Sequence, residues 1–143
     1  MSGYKGSTFC NDFLQLVFKA VGIANIADNA SSSPLTNLYF AIHTADPTAG
    51  GNATSNECNY TGYARVAVAR PAGFTVVGNS VSPAATVSFP ACTGGTNSAT
   101  YFSVTTASSG ATKLLYVGPI SPTISISNGV TPQLTTASAC TES

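Results

Sequence analysis

At 143 residues the chain is long enough for one domain with a real hydrophobic core, and it carries only five basic and five acidic residues. Charged residues make up 7% of it, against about 25% in ordinary globular domains. The formal net charge is zero, and the absence of any basic run excludes a nucleic-acid footprint. No stretch reaches the length of apolar sequence that a membrane helix needs, so no membrane partner is expected. The charges do not give way to disorder, because aliphatic residues, Tyr and Phe are frequent. They give way to Ser and Thr, 37 residues together. That composition describes a β-rich domain with hydroxyl side chains at its outward positions.

The first predicted element is a helix over about residues 8–21. Ser7 or Thr8 serves as its N-cap, and Asp12 lies early, where the helix dipole favours negative charge. Phe9, Phe13, Leu16, Val17 and Ala20 recur at helical spacing and form one apolar face. Lys19 sits in the last turn, and Gly22 is the expected stop. This face is expected to cover an open side of the β-core, the alternative being a dock on a neighbouring subunit. Met1 to Phe13 lacks the apolar segment of a secretion signal, because Asn11 and Asp12 interrupt it, so synthesis in a cytoplasm is expected.

Residues 25–34 read as a polar linker. The β-core then spans about residues 36–135, with strands expected over 36–43, 63–70, 74–77, 85–89, 100–106, 113–117, 123–127 and 130–135. Leu38, Phe40 and Ile42 alternate with Tyr39, Ala41 and His43 in the period-2 pattern of a half-buried strand. Turn signals separate the strands: Pro71-Ala72-Gly73, Gly78-Asn79, Gly94-Gly95, Ser109-Gly110 and Asn128-Gly129. Asn128-Gly129 is the sharpest hairpin signal, since both residues tolerate positive φ. Seven to eight short strands at this spacing predict an all-β fold, an antiparallel jelly-roll-like β-sandwich with one N-terminal α-helix. No internal repeat is visible, which disfavours a solenoid or a repetitive shaft. The polar C-terminal tail, residues 136–143, is expected to leave the sheet open and to reach a neighbour.

The four cysteines, Cys10, Cys58, Cys92 and Cys140, are far apart and lack the close pairing of metal ligands, so neither cofactor nor metal is expected. With no secretion signal, reduced buried thiols are the default expectation, the alternative being one or two disulfides formed after release, with three full pairings open. His43 is the only histidine. With Asp46 three residues on, it reads as a strand terminus with a capped turn: His43 bonds a backbone carbonyl, and Asp46 bonds an amide two residues later. No G-x-S-x-G is present, the acids are few, and no catalytic residues are assigned. Asp46 and Glu57 bracket a Gly- and Asn-rich loop but lack the D-x-D spacing of a calcium site. Arg65 and Arg70 stand an odd number apart on their strand, so at least one is expected to face outward or toward a partner. Tyr60 and Tyr63, flanking Thr61-Gly62, form either a contact patch or core with hydroxyls at its rim.

The block from Leu38 to Arg70, LYFAIHTADPTAGGNATSNECNYTGYARVAVAR, resembles a group of small tailed-phage virion proteins through its HTADP and YTGYARVAV pieces. The likeness continues in order through Ala85-Thr86-Val87-Ser88-Phe89-Pro90, Lys113-Leu114-Leu115-Tyr116-Val117-Gly118 and Ser125-Ile126-Ser127-Asn128-Gly129-Val130-Thr131. Members of this group are labelled tail-fibre or minor structural proteins, and related ones act as capsid cement. The resemblance implies a virion structural protein without enzymatic activity, made in the host bacterial cytoplasm. Cement or decoration on the capsid is the favoured role, with the major capsid protein and further copies of this chain as partners. A tail or tail-fibre component is the close alternative, and a virion carbohydrate-binding module the distant one. The candidate interface residues are Phe9, Phe13, Asp46, Glu57, Tyr60, Tyr63, Arg65 and Arg70, with the loop of residues 45–60 and both termini supplying contacts.

Overall fold

A computed structural model describes residue 5 and residues 7–23 and 35–143. The expected linker over 25–34 lies outside the described residues. Ser7–Lys19 forms α1, followed by β1 (Asn37–His43), β2 (Val66–Ala69), β3 (Phe74–Val77), β4 (Ser80–Pro83) and β5 (Val87–Ser88). The chain continues through β6 (Asn97–Thr105), β7 (Leu114–Ile126), β8 (Gln133–Leu134) and β9 (Cys140–Thr141). All pairings are antiparallel. They give a four-stranded sheet β2-β1-β6-β7, a three-stranded sheet β3-β4-β9 and the small pair β5-β8. The protein is thus mostly β, with one helix and a sandwich-like arrangement of antiparallel sheets.

The helix stops earlier than expected. Ala20 takes the left-handed conformation at φ 59, and the Val21 amide bonds the Gln15 carbonyl at 3.1 Å, so Ala20 and not Gly22 ends it. Asp12 falls in the second turn, and the first turn carries no acid. Thr8 lies inside the helix, and the cap itself falls outside the described residues. The buried face is the i, i+4 row Cys10, Leu14 and Phe18, displaced from the predicted one, while Phe9 is 42% exposed. A row spaced by four runs almost parallel to the helix axis, so three residues suffice to seat it. This row packs on β3 and β4, which is the intramolecular docking expected of the helix.

One face of the four-stranded sheet supplies the core. Leu38, Phe40 and Ile42 from β1 stand beside Phe102 and Val104 from β6, all buried. Phe18 meets Phe74 edge-on with centroids 4.8 Å apart, and Phe40 stacks between Phe74 at 5.9 Å and Phe102 at 6.2 Å. Such aromatic contacts add to the burial of apolar area that dominates folding. Gly118 lies opposite Phe102 in the register, and a Cβ there would come within 2.7 Å of the ring.

Several strands differ from expectation for identifiable reasons. β4 escapes the sequence pattern because Ser80-Val81-Ser82-Pro83 offers one aliphatic residue. Tertiary pairing supplies the rest: it joins β3 across the two-residue loop Gly78-Asn79, where Gly78 sits at φ 60. The predicted strands 113–117 and 123–127 are one strand, β7, which passes through Pro119 and Pro122. β7 is an edge, and prolines are tolerated there because an outward N–H has no ladder bond to lose. Asn128-Gly129 makes a turn but no hairpin. Gly129 alone has positive φ, at 91, the Val130 amide bonds the Ser127 carbonyl, and β8 pairs with β5 instead of β7. The tail does not leave the molecule: Cys140 and Thr141 pair with Val81 and Ser80. Glu142 is held there by Lys5 and by the Tyr116 hydroxyl.

Candidate functional site

The opposite face of the same sheet is also covered, by loops. Ala41, His43, Ser103 and Thr105 point away from the aromatic core, yet each has no solvent exposure. The chain leaving β1 turns back on itself: the Thr44 amide bonds the Asn56 carbonyl, and the Cys58 amide bonds the Ile42 carbonyl. Residues 44–58 are thereby laid against the sheet. The Ala53 amide then bonds the Thr112 carbonyl at 2.9 Å, joining this loop to the β6–β7 connection.

His43 sits beneath these loops. Its Nδ1 lies 2.9 Å from the Ser55 carbonyl and its Nε2 lies 2.8 Å from Ser103 Oγ. A carbonyl can only accept, so the proton is on Nδ1 and the Ser103 hydroxyl donates to Nε2. Burial pushes the His43 pKa below its usual value, with the Ser55 bond and the Glu57 charge opposing. Ser103 was not foreseen from the sequence. Only its alternation with Tyr101 and Thr105, facing away from Phe102 and Val104, could have signalled it. A serine hydroxyl on an imidazole whose other nitrogen is held by a carbonyl has the connectivity of a nucleophile and base. Both side chains are fully buried, so no substrate can approach them in this arrangement.

The second centre is Arg65. Its Nε donates to Glu57 Oε1 at 2.7 Å and its Nη2 to Oε2 at 2.8 Å, a bidentate pair. The remaining donors reach the carbonyls of Ala107 and Gly110 and the hydroxyl of Thr112. The bond to Glu57 holds the Arg65 pKa above its usual value. The Tyr63 hydroxyl donates to Glu57 and accepts the Ile42 amide, and burial, reinforced by Glu57, pushes its pKa far up. Thr105 Oγ1 closes the network by donating to the Lys113 carbonyl at 2.7 Å. The arrangement is a brace: one guanidinium joins the loop of residues 44–58 to the β6–β7 connection on a sheet face.

Of the expected interface residues, this places Glu57, Tyr63 and Arg65 inside the molecule's own network. Tyr60 is 3% exposed, its hydroxyl donating to the Pro90 carbonyl at 2.8 Å. Burial, with smaller contributions from Cys58 and Cys92, pushes its pKa up to about 12. The two tyrosines are therefore core with bonded hydroxyls. Arg70 is buried too: Nε bonds the Val17 carbonyl, Nη2 the Leu16 carbonyl and Nη1 the Leu35 carbonyl, each at 2.8 Å. It neutralises the carbonyl end of α1. The expectation that one arginine faces outward fails for both. They flank β2 instead of lying in it, so strand alternation does not fix their directions. Each turns to a set of orphan carbonyls. Phe9 and Asp46 are exposed and Phe13 is partly buried under Lys5. Asp46 Oδ1 accepts the Thr48 amide at 2.8 Å, the expected capped turn. The four cysteines are free and buried, and among the described residues no cluster of His, Cys, Asp and Glu could hold a metal.

The family model for the podophage GP4 fiber I protein gp80 matches residues 19–140, most of the chain. The chain belongs to this family. It is therefore a phage virion structural protein of a fibre family, and the braced loops and, Phe18 apart, the aromatic core lie within the matched span. No curated protein matches the sequence.

Proposed function

We propose that this chain is a tail-fibre component of a podophage virion, acting mechanically and not as an enzyme. The match to a fibre family across residues 19–140 carries this reading. It favours the fibre over the capsid-cement role expected from the sequence, because the family is named for a fibre and not for a shell protein. The structure fits a mechanical part. The long loop of residues 44–58 is fixed by His43, Arg65 and Ala53, and all four cysteines are buried. The partners in this reading are further copies of the chain and an adjoining tail protein. The contact residues left accessible from the expected set are Phe9, Phe13 and Asp46.

Copy number per purified particle, measured by quantitative mass spectrometry against the major capsid protein, tests the proposal. A small number of copies, with antibody label at the tail, is the expected result. Copies in number comparable to the capsid protein, with label over the shell, would restore the cement role. Absence from the particle would overturn a virion role altogether.

A further inference from the structure

Among the described residues, the edge strand β2 of the four-stranded sheet keeps unpaired backbone groups at its centre. The Arg70 amide bonds the Thr36 carbonyl at 2.9 Å, which sets the phase of the antiparallel ladder between β1 and β2. Residues 66, 68 and 70 bond β1, so Ala67 and Ala69 direct their backbone groups away from the sheet. The Gly73 amide takes the Ala69 carbonyl at 2.8 Å. Among the described residues nothing bonds the Ala67 amide or carbonyl or the Ala69 amide, and both alanines are exposed.

Soluble proteins usually blunt such an edge with charge, proline or a bulge. This edge has lost its charges to the interior. Arg65 and Arg70, which flank it, are 8% and 7% exposed and bond carbonyls and a carboxylate within the chain. The other edges are blunted. β7 carries Pro119 and Pro122 and slips register between Ala99 and Tyr101. On β3, Lys19 Nζ takes the Phe74 carbonyl at 3.1 Å. β5, β8 and β9 are two residues long.

We propose that β2 is the edge through which one copy of this chain pairs with a second copy, antiparallel about a twofold axis at Ala67. Ala67 offers one donor and one acceptor on the same side, which is the self-complementary set that a central residue of an isologous strand pair exchanges with itself. The pairing sets Val66 opposite Val68 of the second copy and joins two four-stranded sheets into one of eight. No like charges meet, because both arginines point inward. Small neutral side chains at Ala67 and Ala69 leave the second strand free to approach. The contact is short, so the pair is weak in dilute solution and strengthened where copies are held together on a particle. This inference rests on the reading of the chain as a self-assembling virion part.

Sedimentation of the full chain over a concentration series tests it, with Ala67→Lys, Ala67→Pro and Ala67→Ser. Lysine sets two charges face to face, and proline removes the outward donor without touching the β1 ladder. The wild type and Ala67→Ser are expected to dimerise alike. Ala67→Lys and Ala67→Pro should weaken dimerisation by about tenfold or more, with circular dichroism unchanged. A wild type that stays monomeric throughout, or folded lysine and proline variants that dimerise as the wild type does, overturns the proposal. A monomer that is nonetheless found on purified particles would sink the edge pairing alone. A β2-dependent dimer absent from particles would sink the virion reading and leave the pairing standing.

Discussion

The two faces of the β2-β1-β6-β7 sheet are held down by different physics. On one face Leu38, Phe40, Phe102 and Val104 meet Phe18 and Phe74. Area and shape carry the stability there, and many apolar residues of similar volume would serve. On the other face Ala41, His43, Ser103 and Thr105 are buried as completely, but under polar loops. Each group there needs a partner of fixed direction, and Arg65 serves five acceptor atoms at once. The apolar face is tolerant in chemistry and sensitive to volume. The polar face is sensitive to single donors and to protonation.

The largest effect is expected on the apolar face. Phe40→Ala removes a ring stacked between two others and should cost about 4 kcal/mol, read as a lower denaturant midpoint at unchanged slope. Arg65→Ala should come next, at about 3 kcal/mol, because it strands a partly buried Glu57 carboxylate. Arg65→Lys should recover only part of this, since an ammonium lacks the planar fork. An alanine variant as stable as the wild type would deny the loops their brace. Gly118→Ala drives a methyl group into the Phe102 ring and should cost about 2 kcal/mol, with a shift of the Phe102 resonances as its spectroscopic mark.

Acid should separate the two faces. The native pKa of His43 lies below its ordinary 6.5, so above that pH neither state holds the proton and the group contributes no pH dependence. Below it the unfolded chain binds a proton that the native state refuses, and stability falls by up to about 1.4 kcal/mol per pH unit. Unfolding midpoints at pH 7 and pH 5 should therefore differ, and His43→Gln should reduce that difference. An equal pH dependence in the variant would place the acid sensitivity elsewhere. Smallest of all, Asp46→Ala should cost about 0.5 kcal/mol, since its bond to the Thr48 amide is exposed to water.

The all-β class, the N-terminal helix, β1 and β3 to within a residue, and the capped turn at Asp46 were legible in the amino-acid sequence. Those features rest on local signals: helical and period-2 spacing of apolar residues, Gly and Asn at turns, and a short polar side chain beside its own backbone. Where Arg65 and Arg70 point depends on the tertiary fold alone, because a flanking arginine follows whatever carbonyls the fold leaves unpaired, and those lie 35 to 54 residues away. The same holds for the union of β7 through its prolines, which depends on its being an edge. It holds for β9, where two residues of polar tail become a strand because β4 offers them a ladder. The polar face was hidden for that reason. Ser103 and His43 are 60 positions apart, and nothing in either neighbourhood of the chain names the other.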